Sequence, residues 1–88
     1  MHVLFNRRFL KDLAEIPTKT RNKVEHLVFQ EIPKLQSISQ IPNLKKLKGY
    51  SQYYRIRFGD YRIGIKINDD KLSFERILHR KEIYRLFP

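Results

Sequence analysis

The chain contains no cysteine, which excludes a disulfide framework, a thiolate nucleophile and a cysteine zinc site. Long apolar runs are missing too. None approaches the ~20 residues that span a bilayer, and the N-terminal MHVLFNRRFL reaches arginine before a signal-peptide apolar region can form. Together these absences predict a cytoplasmic protein with no membrane partner. Acidic residues are scarce: 9 Asp and Glu stand against 19 Lys and Arg, a formal charge of +10. Such a balance favours polyanionic partners, whether RNA, DNA, ribosomes or acidic proteins. The alternative is a generic basic surface. The three histidines, His2, His26 and His79, share no metal-ligand spacing, so neither a metal nor another cofactor is expected.

What is present fits one small core. Eighty-eight residues suffice for one compact domain and not for two, so residues 1–88 are read as a single domain. His2 to Phe5 is a short β-leaning run. Asn6 is placed to cap a helix over RRFLKDLAEI, in which Phe9, Leu10, Leu13, Ala14 and Ile16 form one apolar stripe. Pro17 ends it. A second helix is predicted from Thr18 or Thr20 through NKVEHLVFQEI, with Val24, Leu27, Val28, Ile32 and Leu35 on one face, and Pro33 kinking or ending it. Ser37 to Asn43 reads as a loop, and LKKLKGY leads into strands.

The strand half follows from turn arithmetic. A two-residue loop at Gly59-Asp60 places Phe58 opposite Tyr61, Ile56 opposite Ile63 and Tyr54 opposite Ile65, an apolar face. The other face then carries Arg57 opposite Arg62, Arg55 opposite Gly64 and Tyr53 opposite Lys66. A second turn at Asp69-Asp70 sets Ile67 against Leu72 and Ile65 against Phe74, on the same apolar face, which the helical pair can cover. Arg76 breaks this pattern, because it falls opposite Ile63. Either a bulge lies near residues 75 to 78 or the strand leaves the packed region there.

Like charges directly across an antiparallel pair are destabilising, so Arg57 against Arg62 suggests a retained anion site. A solvated outer face, with the arginines splayed or paired to Glu75, is the plainer alternative. Gly64 in mid-strand weakens a sheet and often marks the close approach of a ligand or another backbone, which leaves room for a phosphate. The last segment, HRKEIYRLFP, adds an imidazole, a guanidinium and a phenol. If residues 81–87 form a short helix, Arg80 and Tyr84 lie about one turn apart and approach one site. Arginine clamps phosphate bidentately and tyrosine stacks on an unpaired base. Tyr84 reads equally well as a terminal aromatic sealing the core beside Ile83 and Leu86.

A strand, two helices, NLKKLKG, YYRIRFGDYRIGIKI and HRKEIYR, in that order, resemble the RelE/ParE superfamily of toxin-antitoxin toxins over essentially the whole chain. The resemblance implies an α+β fold: an N-terminal strand and a two-helix hairpin on one face of a small, mainly antiparallel sheet, with a short C-terminal helix. It also implies, for the RelE-like branch, an endoribonuclease that cuts messenger RNA in the ribosomal A site without metal, by activating a ribose 2′-hydroxyl against its adjacent phosphate. Arg62 then matches the arginine that binds the scissile phosphate, Arg80 the one that stabilises transition-state charge or assists the leaving group, and Tyr84 the tyrosine that orients the base. Arg55 and Arg57 take the basic positions of the second strand, and Lys46, Lys48 and Lys66 complete the expected phosphate-binding set.

The family's well-studied members carry lysines where this chain has Arg55 and Arg57. Arginine does not release its proton at neutral pH, which makes His79 the natural general base and Glu75 the second choice. A cognate antitoxin is the implied partner, acidic and folding as it binds, over the apolar groove or sheet edge beside the helices. Two other readings stay open: a ParE-like inhibitor of DNA gyrase, although that branch usually lacks a basic strand face combined with the late Arg and Tyr, and a weak homologue that only binds RNA or antitoxin.

Overall fold

A computed structural model describes residues 1–88. Strand β1 (His2–Phe5) leads directly into helix α1 (Arg7–Ala14), and the Asn6 side chain accepts the Arg8 N–H at 2.8 Å. That bond satisfies one of the free amides that open any helix and is worth about 1 kcal/mol. Phe9, Leu13 and Ile16 go inside, whereas Leu10, assigned to the same stripe, is 44% exposed. Helix α2 (Thr18–Glu25) begins after Pro17. Its winding then widens to a π-helical turn over His26–Glu31 and tightens to a 3₁₀ turn over Ile32–Lys34. Pro33 explains the change, because it offers no N–H and its ring crowds the carbonyl four residues back. The helix stops there, yet Val24, Leu27, Val28 and Ile32 all remain buried.

Four strands complete the sheet: β2 (Leu44–Lys46), β3 (Tyr53–Phe58), β4 (Tyr61–Asn68) and β5 (Lys71–His79), in the order β1-β5-β4-β3-β2. β1 runs parallel to β5 and the other pairs are antiparallel. The first hairpin has the register that turn arithmetic predicts, Arg57 against Arg62 and Arg55 against Gly64 included. The polar stretch before it is less plain than expected. It holds a 3₁₀ turn at Ile38–Gln40 and the buried Ile41, and Leu44–Lys46 is itself an edge strand on β3.

The Arg76 conflict is resolved by a bulge. Ile65 pairs with Phe74, but the next pair is Gly64 with Arg76, so Glu75 has no partner and the register shifts by one. Ile77 therefore meets Ile63 in the core, and the Arg76 side chain is freed to reach α1. There its Nε donates to Asp12 at 2.7 Å and its Nη2 at 3.2 Å, while the Ile77 N–H donates to the same carboxylate at 3.2 Å. Asp12 thus serves the outer edge of β5 just past the end of β1. Hydrogen bonding to that carboxylate, opposed in part by burial, raises the Arg76 pKa above its ordinary value.

Two apolar clusters sit on opposite faces of the sheet. The larger joins Ile56, Ile63, Ile65, Leu72, Phe74 and Ile77 to the two helices. The smaller holds Leu47, Ile83 and Phe87, with Tyr53 and Leu78 against them, and is closed by helix α3 (Ile83–Leu86). This second cluster corrects the expectation for Gly64. A Cβ built there would lie 2.8 Å from the Phe87 ring, so the close approach that needs glycine is made by the chain's own tail and not by a phosphate. Gly64→Ala is expected to cost about 1–3 kcal/mol by overpacking, and thermal unfolding paired with carboxypeptidase sensitivity checks it. Faster trimming of the tail at an unchanged melting temperature would show that Phe87 adds nothing to stability. No helix is long and apolar enough to cross a membrane.

Candidate nucleic-acid interface

An open groove of about 680 Å³ lies beside α3, lined chiefly by Lys45, Lys46, Lys48, Tyr50, Arg55 and Tyr84. Edge strand β2 supplies one wall, since its pairing sets Lys45 opposite Arg55. The tail supplies the other. Ile83 and Phe87 anchor α3 in the small cluster, and this leaves Tyr84 between them 62% exposed, not sealing the core. The phenol oxygen of Tyr84 accepts a hydrogen bond from Arg55 Nε at 3.2 Å, and Arg55 Nη1 reaches the Asn43 carbonyl at 3.5 Å. Tyrosine and arginine are thereby held together in the groove lining.

Further along the same face, Arg57 stands opposite Arg62. Their repulsion is relieved within the protein: Arg62 Nη1 donates to the carbonyls of Gly59 at 2.8 Å and Tyr61 at 2.9 Å, which turns its charge toward the hairpin loop. Arg80 follows the end of β5, and its backbone N–H donates to Asp60 in that same loop at 2.8 Å. The β3–β4 turn therefore brings the backbones of Arg57, Arg62 and Arg80 to one end of the sheet. The ion pairs in the structure are Arg76 with Asp12 and Arg85 with Glu82, and the His26 imidazole lies 3.9 Å from Glu31. None of them uses Lys45, Lys46, Lys48, Arg55, Arg57, Arg62 or Arg80. A row of unneutralised cations on one face raises the local concentration of any polyanion.

Two residues expected at the site are placed elsewhere. Lys66 shares the outer face, but it lies over the Tyr53 ring at 5.7 Å, beyond the row where Phe87 stands on Gly64. His79 pairs with Tyr61, its ring edge-on to that tyrosine at 5.7 Å, and by alternation it shares the side of Ile77 and Ile63. Its Nδ1 also accepts the Lys81 N–H at 3.2 Å. Glu75, the second choice for a base, takes the bulge position and accepts the Ser73 hydroxyl at 2.6 Å. Lys45 and Tyr50 line the groove without having been singled out from sequence. The signal for Lys45 was its offset from Arg55 across β2, a strand of three residues that is too short to show a period.

A family model for the ParE toxin of type II toxin-antitoxin systems matches residues 3–84. Toxin RelE3 of Methanocaldococcus jannaschii is 46% identical over 89 residues, covering the whole of both chains. Among solved structures, the RelB-RelE antitoxin-toxin complex from Methanococcus jannaschii superposes with a TM-score of 0.81 at 45% identity, over 97% of this chain and 99% of that one. The toxin-antitoxin complex RelBE2 from Mycobacterium tuberculosis shares the fold, with a TM-score of 0.70 at 23% identity over 90% and 96% of the two chains. A chain matched end to end in sequence and in fold, with its basic face beside an exposed tyrosine, belongs to the RelE/ParE superfamily of type II toxin-antitoxin toxins.

Proposed function

We propose that this toxin is a ribosome-dependent endoribonuclease that cuts messenger RNA in the ribosomal A site without a metal ion. The observation that carries the proposal is the placement of Tyr84, exposed and bonded to Arg55, in a groove whose charged lining is wholly cationic. A base stacks on Tyr84 while Arg55, Lys46 and Lys48 hold the flanking phosphates. The 2′-oxygen then attacks the adjacent phosphorus, the bond from phosphorus to the 5′-oxygen breaks, and the products are a 2′,3′-cyclic phosphate and a 5′-hydroxyl. Arg57, Arg62 and Arg80 stabilise the extra negative charge of the phosphorane, a preorganised electrostatic role that often supplies the largest catalytic contribution. The groove lining offers no imidazole and no carboxylate. The 2′-hydroxyl proton therefore leaves to water or to a ribosomal RNA group, the departing 5′-oxygen takes up a proton from water, and His79 and Glu75 act no closer than the margin.

A cognate antitoxin completes the proposal, as the relatives captured in RelB-RelE complexes suggest. Its site of action would be the cytoplasm, where messages are translated. The match to a ParE family model supports a second reading, inhibition of DNA gyrase with no nuclease activity. One experiment separates them: purified protein is added to a reconstituted translation reaction, and message ends are mapped by primer extension with and without ribosomes. Cuts inside codons that need ribosomes are the expected result. Intact message together with stalled gyrase would replace the nuclease reading by the second.

A further inference from the structure

The proposed reaction leaves Tyr50 unused, although it lines the same groove as Tyr84 and is half exposed. Its setting is built, not incidental. Leu47 is buried in the small cluster and its N–H donates to the Tyr53 carbonyl at 2.8 Å, while the Tyr50 N–H returns to the Leu47 carbonyl at 3.3 Å. Gly49 closes this turn at φ +86°, a conformation that side chains rarely adopt. The Tyr50 ring is set edge-on against Tyr53 (6.0 Å, 88°), and Tyr53 is edge-on against Phe87 (5.6 Å, 82°), which stands on Gly64. An aromatic relay thus fixes the orientation of a ring that faces open space, with Lys45, Lys46 and Lys48 around it.

We infer that Tyr50 is a second base platform, so that the groove takes two nucleotides of a single strand, one on Tyr84 and a flanking one on Tyr50. This rests on the RNA-cleaving reading and deepens it. An aromatic face with lysines and no carboxylate fits a base and its phosphate, because every base has a π-face and lysine neutralises phosphate without reading sequence. The groove volume lies within the roughly 300–1,000 Å³ of ligand-sized sites.

The test is fluorescence anisotropy of labelled 2′-O-methyl RNA, one to four nucleotides long, with wild type, Tyr50→Phe, Tyr50→Ala and Tyr84→Ala. Tyr50→Phe keeps the ring and is expected to bind like wild type. Tyr50→Ala is expected to weaken oligonucleotides that span both tyrosines by about 5- to 150-fold, the equivalent of about 1–3 kcal/mol for one stacked base, and to leave a mononucleotide unaffected. Tyr84→Ala should weaken both. Equal binding of all lengths by wild type and Tyr50→Ala overturns the inference while leaving ribosome-dependent cleavage to stand. Failure of wild type to bind any oligonucleotide overturns it as well, and coupled with intact message it removes the nuclease reading too. If Tyr50→Ala instead loses only an acidic peptide, the surface serves a protein and the inference falls.

Discussion

Replacing Arg80 with alanine is expected to slow ribosome-dependent cleavage by about 100- to 1,000-fold, the range for loss of one preorganised donor to developing charge, with thermal unfolding unchanged. The two halves of this result have separate causes. Arg80 is exposed and its side chain enters no hydrogen bond or ion pair, so truncation removes nothing from the fold. Its backbone bond to Asp60 survives in alanine and keeps the segment in place. Arg62→Ala should slow cleavage comparably but also lose about 1 kcal/mol of stability, because the Arg62 side chain bonds two carbonyls of the hairpin loop. Lysine at position 80 should recover only part of the rate, since it keeps the charge and loses the fork that holds two phosphate oxygens. Full cleavage by both alanine variants would end the arginine mechanism. His79→Gln should cost less than either, and an equal loss would make that imidazole the proton acceptor.

The largest expected effect on stability lies away from the groove. Asp12→Ala should destabilise the protein by about 3–5 kcal/mol, the usual consequence of leaving one member of a mostly buried pair unpaired. The side chains of Arg76 and Asp12 are 16% and 14% exposed, and the single carboxylate serves both Arg76 and the Ile77 N–H. At about 4–8 °C per kcal/mol for a domain of 60–100 residues, thermal unfolding would register the change easily. Asp12→Asn, which retains an acceptor, should lose less. A loss below about 1 kcal/mol in Asp12→Ala would mean that the pair behaves as an exposed one. The pKa of Arg76 is raised in the folded state, so the stability it contributes is complete below the ordinary arginine range and is lost only as pH climbs through the raised value. Charge on Arg76 therefore adds no pH dependence near neutrality.

Much of this was legible in the sequence because two short turns fix their strands. Given Gly59-Asp60, every pair from Tyr53–Lys66 to Phe58–Tyr61 follows by counting, and Asp69-Asp70 does the same up to Phe74. Beyond Phe74 counting fails, and only the misplaced Arg76 signalled the bulge. The fate of Gly64 was not legible. Its role depends on Phe87, which is 23 residues away and follows a strand and a turn, and sequence patterning carries no information about which ligand or side chain fills a gap. Tyr50 went unremarked for a related reason: a lone aromatic in a loop acquires meaning only when Tyr53 and Phe87 orient it. His79 qualifies by its chemistry and by resemblance, yet alternation along β5 turns it away from the groove.

Glu75 shows how little length is needed to change a surface. It pairs with nothing, yet it resets the phase of the strand, so that residues before it and after it follow opposite parities. Were Glu75 paired with Gly64 instead of bulged out, Arg76 would fall opposite Ile63 in the apolar interior, Ile77 would turn toward the tail and Leu78 toward the helices. Leu78 is part of the floor on which Ile83 and Phe87 rest, so the position of Tyr84 is inherited from a spacing set nine residues earlier. The chain can vary its polar linkers in length at small cost, but between Phe74 and Ile77 it is the one unpaired residue that decides which side chains face the tail.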